Sequence, residues 1–232
     1  MLAVSNLEAS IGQIAVLRGV SLAVGPGETV ALLGRNGVGK TSTLRAILGL
    51  LRRTGGTVRY GDVDLGRVAP HKVARLVIGY VPQGRGIFPL LTVEENLFLG
   101  LTERPAGETV DDIHERFPRL RERRKQAAGT LSGGEQQMLA IARCLMMQPA
   151  LIILDEPTEG IMPKLVAQIR QEIAAIARRG ISVLLVEQNI RTALRLASRV
   201  YLMEKGVIVH EATPENLKSA PAVVHRYLGV SL

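Results

Sequence analysis

Gly34-Arg35-Asn36-Gly37-Val38-Gly39-Lys40-Thr41-Ser42 follows the apolar run Thr29-Val30-Ala31-Leu32-Leu33 and leads into Leu44-Arg45-Ala46-Ile47-Leu48. The run reads as a strand and the residues after the lysine as a helix. Strand, glycine-rich turn and helix are the context that turns a Gly, four residues, Gly-Lys-Thr match into a phosphate-binding loop. Glycines at 34, 37 and 39 open backbone conformations closed to other residues, so successive N–H groups can face one phosphate chain. The helix N-terminus adds partial positive charge at the same place. Lys40 supplies a full charge for β- and γ-phosphates, and the Thr41 hydroxyl is placed to ligate Mg²⁺.

Outward from that loop, the chain of 232 residues is long enough for a packed core, and an apolar share of 47% makes it globular rather than disordered. No apolar run reaches the roughly 18 residues that a membrane-spanning helix needs. The N-terminus shows no signal-peptide pattern, and the expectation is a soluble chain in the cytoplasm. The single cysteine, Cys144, sits in an apolar helical pattern and reads as a small buried residue. His71, His114, His210 and His225 show no metal-ligand spacing and read as surface residues. The formal net charge of +8 is densest at Arg119, Arg121, Arg123, Arg124 and Lys125, and reads as a solvated face. There is no Trp and only 3% of residues are aromatic, so platforms for stacking single-stranded bases are scarce.

Residues 1 to 28 alternate and end in Gly25-Pro26-Gly27, which predicts antiparallel strands ahead of the loop. A short strand between turns is expected at 55–61 and a buried one at 77–81. Capping boxes at Thr92–Glu95 and Ser132–Glu135 open helices, the second with Met138, Ile141, Ala142 and Leu145 on its apolar face. Ile113, Phe117 and Leu120 recur at helical spacing, interrupted at Pro118. Helical pattern without strands predicts an inserted helical subdomain over 84–148, between core segments 1–83 and 149–232. Leu151–Leu154 and Val183–Val186 suit parallel strands covered on both sides. A helix starting near Pro163, with Val166, Ile169, Ile173 and Ile176 on one face, stops at Gly180. A strand pair and a terminal helix complete the chain.

Two further motifs carry chemistry. The strand Leu151-Ile152-Ile153-Leu154 ends in Asp155 and Glu156. After a phosphate loop, Asp155 is placed to hold Mg²⁺ and Glu156 to polarise a water for in-line attack on the γ-phosphate. Leu131-Ser132-Gly133-Gly134-Glu135 is a capped helix start whose glycines leave backbone donors free for a second anion. With these in hand, the sequence resembles the ATP-binding subunits of ABC transporters over essentially its whole length. It matches their Walker A (Gly34 to Thr41), Gln loop (Gln83), signature (Leu131 to Glu135) and Walker B with its glutamate (Leu151 to Glu156), in order.

The resemblance implies an α/β fold: a RecA-like P-loop core, mostly parallel sheet with helices on both faces, plus an antiparallel β-subdomain and an inserted helical subdomain. It implies ATP and Mg²⁺ as cofactors. The ATP contacts carry over to Ile11, Gly34 to Ser42, Gln83 and Ser132 to Gly134, the metal contacts to Thr41, Gln83 and Asp155, and catalysis to Glu156 and Gln188. It also implies a head-to-tail dimer, with itself or with a second ABC ATPase, in which each ATP lies between one subunit's phosphate loop and the other's signature. Two permease subunits and, indirectly, a periplasmic binding protein would be its partners at the cytoplasmic face of the inner membrane, with no nucleic acid.

Tyr80–Arg85, Ile87–Pro89, Leu91–Asn96, Glu156–Ile161 and Val186–Asn189 are similar to the smaller ATPase of branched-chain amino acid importers. The Gln83-Gly84-Arg85 and Gly37-Val38-Gly39 forms also resemble urea importers. Departures from the family pattern are Gln188 in place of a histidine, Ile11 in place of an adenine-stacking aromatic, and Met162 in place of an aspartate. Two other classes stand as alternatives: a soluble ABC ATPase acting on nucleic acid or ribosomes, and a regulatory module that binds ATP without hydrolysing it.

Overall fold

The computed structural model describes residues 1–99, 101 and 110–229. Its centre is a six-stranded sheet in the order β10-β9-β3-β8-β7-β6. β3 (Thr29–Leu33), β6 (Ile78–Val81), β7 (Leu151–Asp155), β8 (Ser182–Glu187) and β9 (Arg199–Glu204) run parallel, and β10 (Val207–Ala212) closes one edge antiparallel to β9. Every residue of β3, β7 and β8 is buried. Such strands must be covered on both faces, and the period of two divides their side chains between two cores. Leu151, Ile153, Leu184 and Val186 join one cluster, while Ile152, Leu154, Val183 and Leu185 join another.

The first cluster is completed by an antiparallel sheet, β2-β1-β4-β5, made of β1 (Leu2–Ile11), β2 (Ile14–Val24), β4 (Arg53–Tyr60) and β5 (Val63–Asp64). Helix α1 (Lys40–Ile47), amphipathic with Leu44, Ala46 and Ile47 buried, is packed in the same cluster. A short helix, α2 (Pro70–Val73), precedes β6. Between β6 and β7 lie α3 (Val93–Phe98), α4 (Val110–Arg116), α5 (Pro118–Glu122) and α6 (Gly133–Leu145). Among the described residues this stretch holds no named strand, only an isolated bridge between Thr92 and Ala127. With α7 (Pro163–Arg178) these helices build the second cluster. A third cluster sets α8 (Ile190–Leu196), α9 (Pro214–Lys218) and α10 (Pro221–Leu228) against Ala31, Leu33, Val200 and Leu202.

Both capping boxes form, with Thr92 accepting from Glu95 N–H at 3.1 Å and Glu95 taking the Thr92 N–H at 2.7 Å. The helix at Ile113–Leu120 breaks at Pro118 as its missing N–H requires. Three expectations are corrected. Val77 lies outside β6, in a left-handed turn with φ 55°, because the chain must reverse from the preceding 3-10 turn before pairing at Ile78. The terminal helix is two helices, since Pro221 starts a new first turn after Ser219-Ala220. His114 is buried rather than on the surface, its Nε2 without a partner among the described residues, and burial pushes its pKa down. Cys144 is buried as expected, its thiol raised to about 12 by that burial.

Candidate functional site

At the end of β3 the chain turns through Gly34 to Gly39 into α1. Gly34 is dictated by space: a Cβ there would lie 2.6 Å from the Met203 carbonyl oxygen on β9. Gly39 is dictated by conformation, at φ 112°, as the N-terminal flank of α1. The turn between β9 and β10 clasps the loop, with Gly206 N–H donating to the Val38 carbonyl at 2.9 Å. The result is a cavity of about 490 Å³ lined by Asn36, Gly37, Val38, Gly39, Lys40, Thr41, Ser42, Gln83 and Glu156.

Lys40 is only 4% exposed, and its Nζ meets the Gly34 and Arg35 carbonyls at 3.0 and 3.2 Å and Glu156 Oε1 at 3.0 Å. Every proton of the ammonium thus has an oxygen. Thr41 Oγ1 donates to Asp155 Oδ1 at 3.1 Å, and the Tyr80 hydroxyl reaches Asp155 Oδ2 at 3.4 Å. Burial raises the Asp155 carboxyl above the usual range, with the Thr41 bond acting against it. Glu156 stands at φ 49°, a left-handed conformation unusual for a glutamate and costly unless its surroundings impose it. Its N–H is taken by the Val186 carbonyl at 2.9 Å. Gln83 Nε2 donates to Glu156 Oε2 at 3.3 Å and to Glu159 Oε2 at 2.8 Å.

The site therefore brings Asn36 to Ser42, Gln83 and Glu156 to one cavity, with Asp155 behind Thr41 and the carbonyls of Gly34 and Arg35 beneath Lys40. Ile11 is exposed and outside the lining, but it pairs across the hairpin with Ile14, which does line it. Gln188 is exposed at the end of β8 and also stands outside the lining. Sequence reasoning missed Ala15, Val16, Arg18, Lys205 and Gly206, which form another wall. These come from the β1–β2 hairpin and the β9–β10 turn, joined by Arg18 N–H to the Gly206 carbonyl at 2.9 Å. It also missed Glu187, buried and raised by that burial, which accepts from Thr158 N–H, the Thr158 hydroxyl and Asn189 N–H. The apolar strand Val183–Val186 ending in an acid was the available signal.

Ser132, Gly133 and Gly134 lie elsewhere. Ser132 caps α6 and is exposed, while Glu135 turns back to take its N–H at 2.9 Å and its hydroxyl at 2.7 Å. Although burial works against it, Glu135 is held below the usual range by these bonds and by Arg123. Ser132 and Gly134 border a second cavity of about 460 Å³ between α5, α6 and α7, whose lining shares no residue with the first.

A glycine-rich loop into a helix N-terminus, a buried lysine and a strand-end carboxylate beside the loop threonine define a P-loop nucleoside triphosphatase. Residues 17–159 match the ABC transporter family. Over 232 residues the chain is 43% identical to the high-affinity branched-chain amino acid transport ATP-binding protein BraG of Pseudomonas aeruginosa, covering 99% of this chain and 100% of that one. It is 36% identical to the lipopolysaccharide export system ATP-binding protein LptB of Haemophilus influenzae, covering 99% and 97%. A nucleotide-free ATP-binding cassette from an ABC transporter superposes with TM-score 0.84 at 27% identity, covering 100% and 99%. A dimeric cassette in a post-hydrolysis state with ADP and phosphate superposes with TM-score 0.80 at 28% identity, covering 92% and 99%. The chain belongs to the ABC transporter family, and it is one of that family's ATPases. Among the described residues, no helix is long and apolar enough to cross a membrane.

Proposed function

We propose that this chain is the ATPase subunit of an importer for branched-chain amino acids. It would work at the inner face of the cell membrane beside two permease subunits and, through them, a periplasmic binding protein. The carrying observation is the 43% identity to BraG along the full length of both chains. A second reading, lipopolysaccharide export, is favoured by the 36% identity to LptB. Urea or short-amide import is a third, resting on the Gln83-Gly84-Arg85 and Gly37-Val38-Gly39 resemblances alone.

The residues divide the work as follows. Lys40 and the N–H groups of Gly37 to Thr41 hold the phosphates, and Ile14 to Val16 pack on the base. An entering γ-phosphate competes with Glu156 for Lys40, so binding releases the carboxylate that then orients and polarises the attacking water. Thr41 and Asp155, adjacent oxygen donors, fit a hard divalent ion, with Gln83 as a further oxygen ligand. Bound there, Mg²⁺ would neutralise charge on the β- and γ-phosphates. Gln188 follows Glu187, and we assign it to contact with the γ-phosphate. Ser132 to Gly134 complete the site of a second ATPase copy or a related chain in a head-to-tail dimer. That reading is supported by the separation of the two cavities and by the dimeric relative. Residues 84–148 then form the subdomain that carries Ser132 toward the partner.

Reconstitution with the neighbouring permeases in liposomes tests the substrate. ATP turnover should rise several-fold when leucine-loaded binding protein is added to the opposite face. Stimulation by lipopolysaccharide or by urea instead would replace this reading with the corresponding alternative.

A further inference from the structure

Gln83 is tied to Glu156 and Glu159, but the residues just after it are tied to another part of the chain. Gly84, Arg85 and Gly86 all have positive φ, at 76°, 73° and 61°. Two of the three are glycines, for which this is cheap; Arg85 is not, and an arginine in the left-handed region needs contacts that hold it there. Its head supplies them. Arg85 Nη1 donates to Gln136 Oε1 at 2.7 Å. Its Nη2 lies over Gly133, where a Cβ would stand 2.7 Å away, so the absence of a side chain at 133 makes room for the guanidinium.

Gln136 is itself fixed. Its Nε2 donates to the carbonyls of Leu131, Gly129 and Ala128 at 3.1, 3.3 and 3.4 Å, which aims Oε1 at Arg85 and braces the segment leading to Ser132. A second bond comes from further along α6, where Arg143 Nη2 donates to the Gly86 carbonyl at 2.7 Å and the guanidinium stacks 5.5 Å from the Phe88 ring. Residues 83–88 are therefore a short strap, held by Glu156 and Glu159 at Gln83 and by α6 along the rest, through Gln136 near the helix N-terminus and Arg143 near its C-terminus. The Lys40 cavity does not include Arg85, Gln136 or Arg143.

We propose that Arg85 is a positioning residue that transmits movement of Gln83 to Gly133 and Ser132 of the same chain. Resting on the head-to-tail dimer proposed above, this makes nucleotide contact at one ATP site adjust the surface offered to the other. Gln83 would have to leave Glu159 to engage a bound nucleotide. The strap is too short and too bonded to absorb that shift, so α6 follows.

The test compares the full chain with Arg85→Ala, Arg85→Lys and Gln136→Ala. ADP affinity of the dilute chain, read by fluorescence titration, should change less than about twofold, because Arg85 does not line the cavity. The concentration of a non-hydrolysable ATP analogue that half-saturates dimer formation, read by light scattering, should rise about tenfold for Arg85→Ala, the scale of one charge-assisted hydrogen bond. Arg85→Lys should recover part of it, and the double variant with Gln136→Ala should add little. Unchanged dimerisation in Arg85→Ala would overturn the proposal while leaving the dimer reading intact. Matched losses of ADP affinity and melting temperature would overturn it as a fold defect. Failure of the parent chain to dimerise at all would sink the dimer reading and the coupling with it.

Discussion

The two glycine-rich turns that we assign to phosphate are alike in sequence and opposite in state. Gly34–Thr41 and Ser132–Gly134 are both glycine-rich and both lead into a helix N-terminus. The first is walled by residues from distant parts of the chain, and its cation is neutralised by Glu156 at 3.0 Å. The second is bonded within itself, Ser132 to Glu135, and displays an exposed serine. On the function proposed above, a pocket that holds its own counter-ion would exchange it for phosphate. A capped, exposed turn contributes only when another surface meets it.

The difference predicts separable damage. Glu156→Gln should lower turnover by at least about 100-fold, the usual contribution of a positioned base. It should also bind ATP more tightly than the parent, because a neutral amide no longer competes for Lys40. Equal loss of binding and turnover would place Glu156 in the pocket's structure rather than its chemistry. Gly134→Val acts on the other turn. Even one carbon there meets the Leu165 side chain of α7, so the variant should melt lower by overpacking worth about 1–3 kcal/mol. Turnover should fall while ADP affinity of the dilute chain stays within about twofold.

A milder probe is pH. Burial lowers the His114 pKa from 6.5 on α4, against the attraction of Glu94 and Asp111 and with the repulsion of Arg121 and Arg124. The unfolded chain therefore takes up a proton that the folded one resists. The associated stability is present above pH 6.5 and lost as pH falls toward the lowered value. His114→Gln should flatten that acid-side fall in melting temperature; an unchanged slope would assign it to other groups. The smallest effect is expected at the base-binding edge. Ile11→Tyr would place a ring beside Ile14, tightening ATP binding by about two- to tenfold through stacking. An unchanged affinity would leave the base to Ile14, Ala15 and Val16 alone.

What the sequence made legible was local. The turn at Gly34, both capping boxes, the break at Pro118 and the buried runs at 151 and 183 each rest on near neighbours, and each formed where expected. What it hid depends on residues far apart in the chain. Arg18 and Lys205 reach the cavity because the β1–β2 hairpin and the β9–β10 turn meet, which no spacing encodes. Arg85 looks like one more surface charge until Gly133 is seen beneath it. His114 reads as surface by type, yet packing against the helices around it took it inside. Glycines were read mainly as conformational freedom; Gly34 turned out to be a matter of room beside Met203.

The claim that the two turns complete each other across subunits is tested most directly by mixing two disabled chains. Lys40→Ala loses the phosphate loop and keeps the signature turn. Ser132→Asp keeps a good helix cap but sets a negative charge where phosphate would sit. Each variant alone should be nearly inactive. Mixed in equal amounts, they form some dimers with one intact site, and ATP turnover should reappear at a sizeable fraction of the parent's rate. Mixed dimers that form, as read by cross-linking, and still hydrolyse no more ATP than either variant alone would contradict the account.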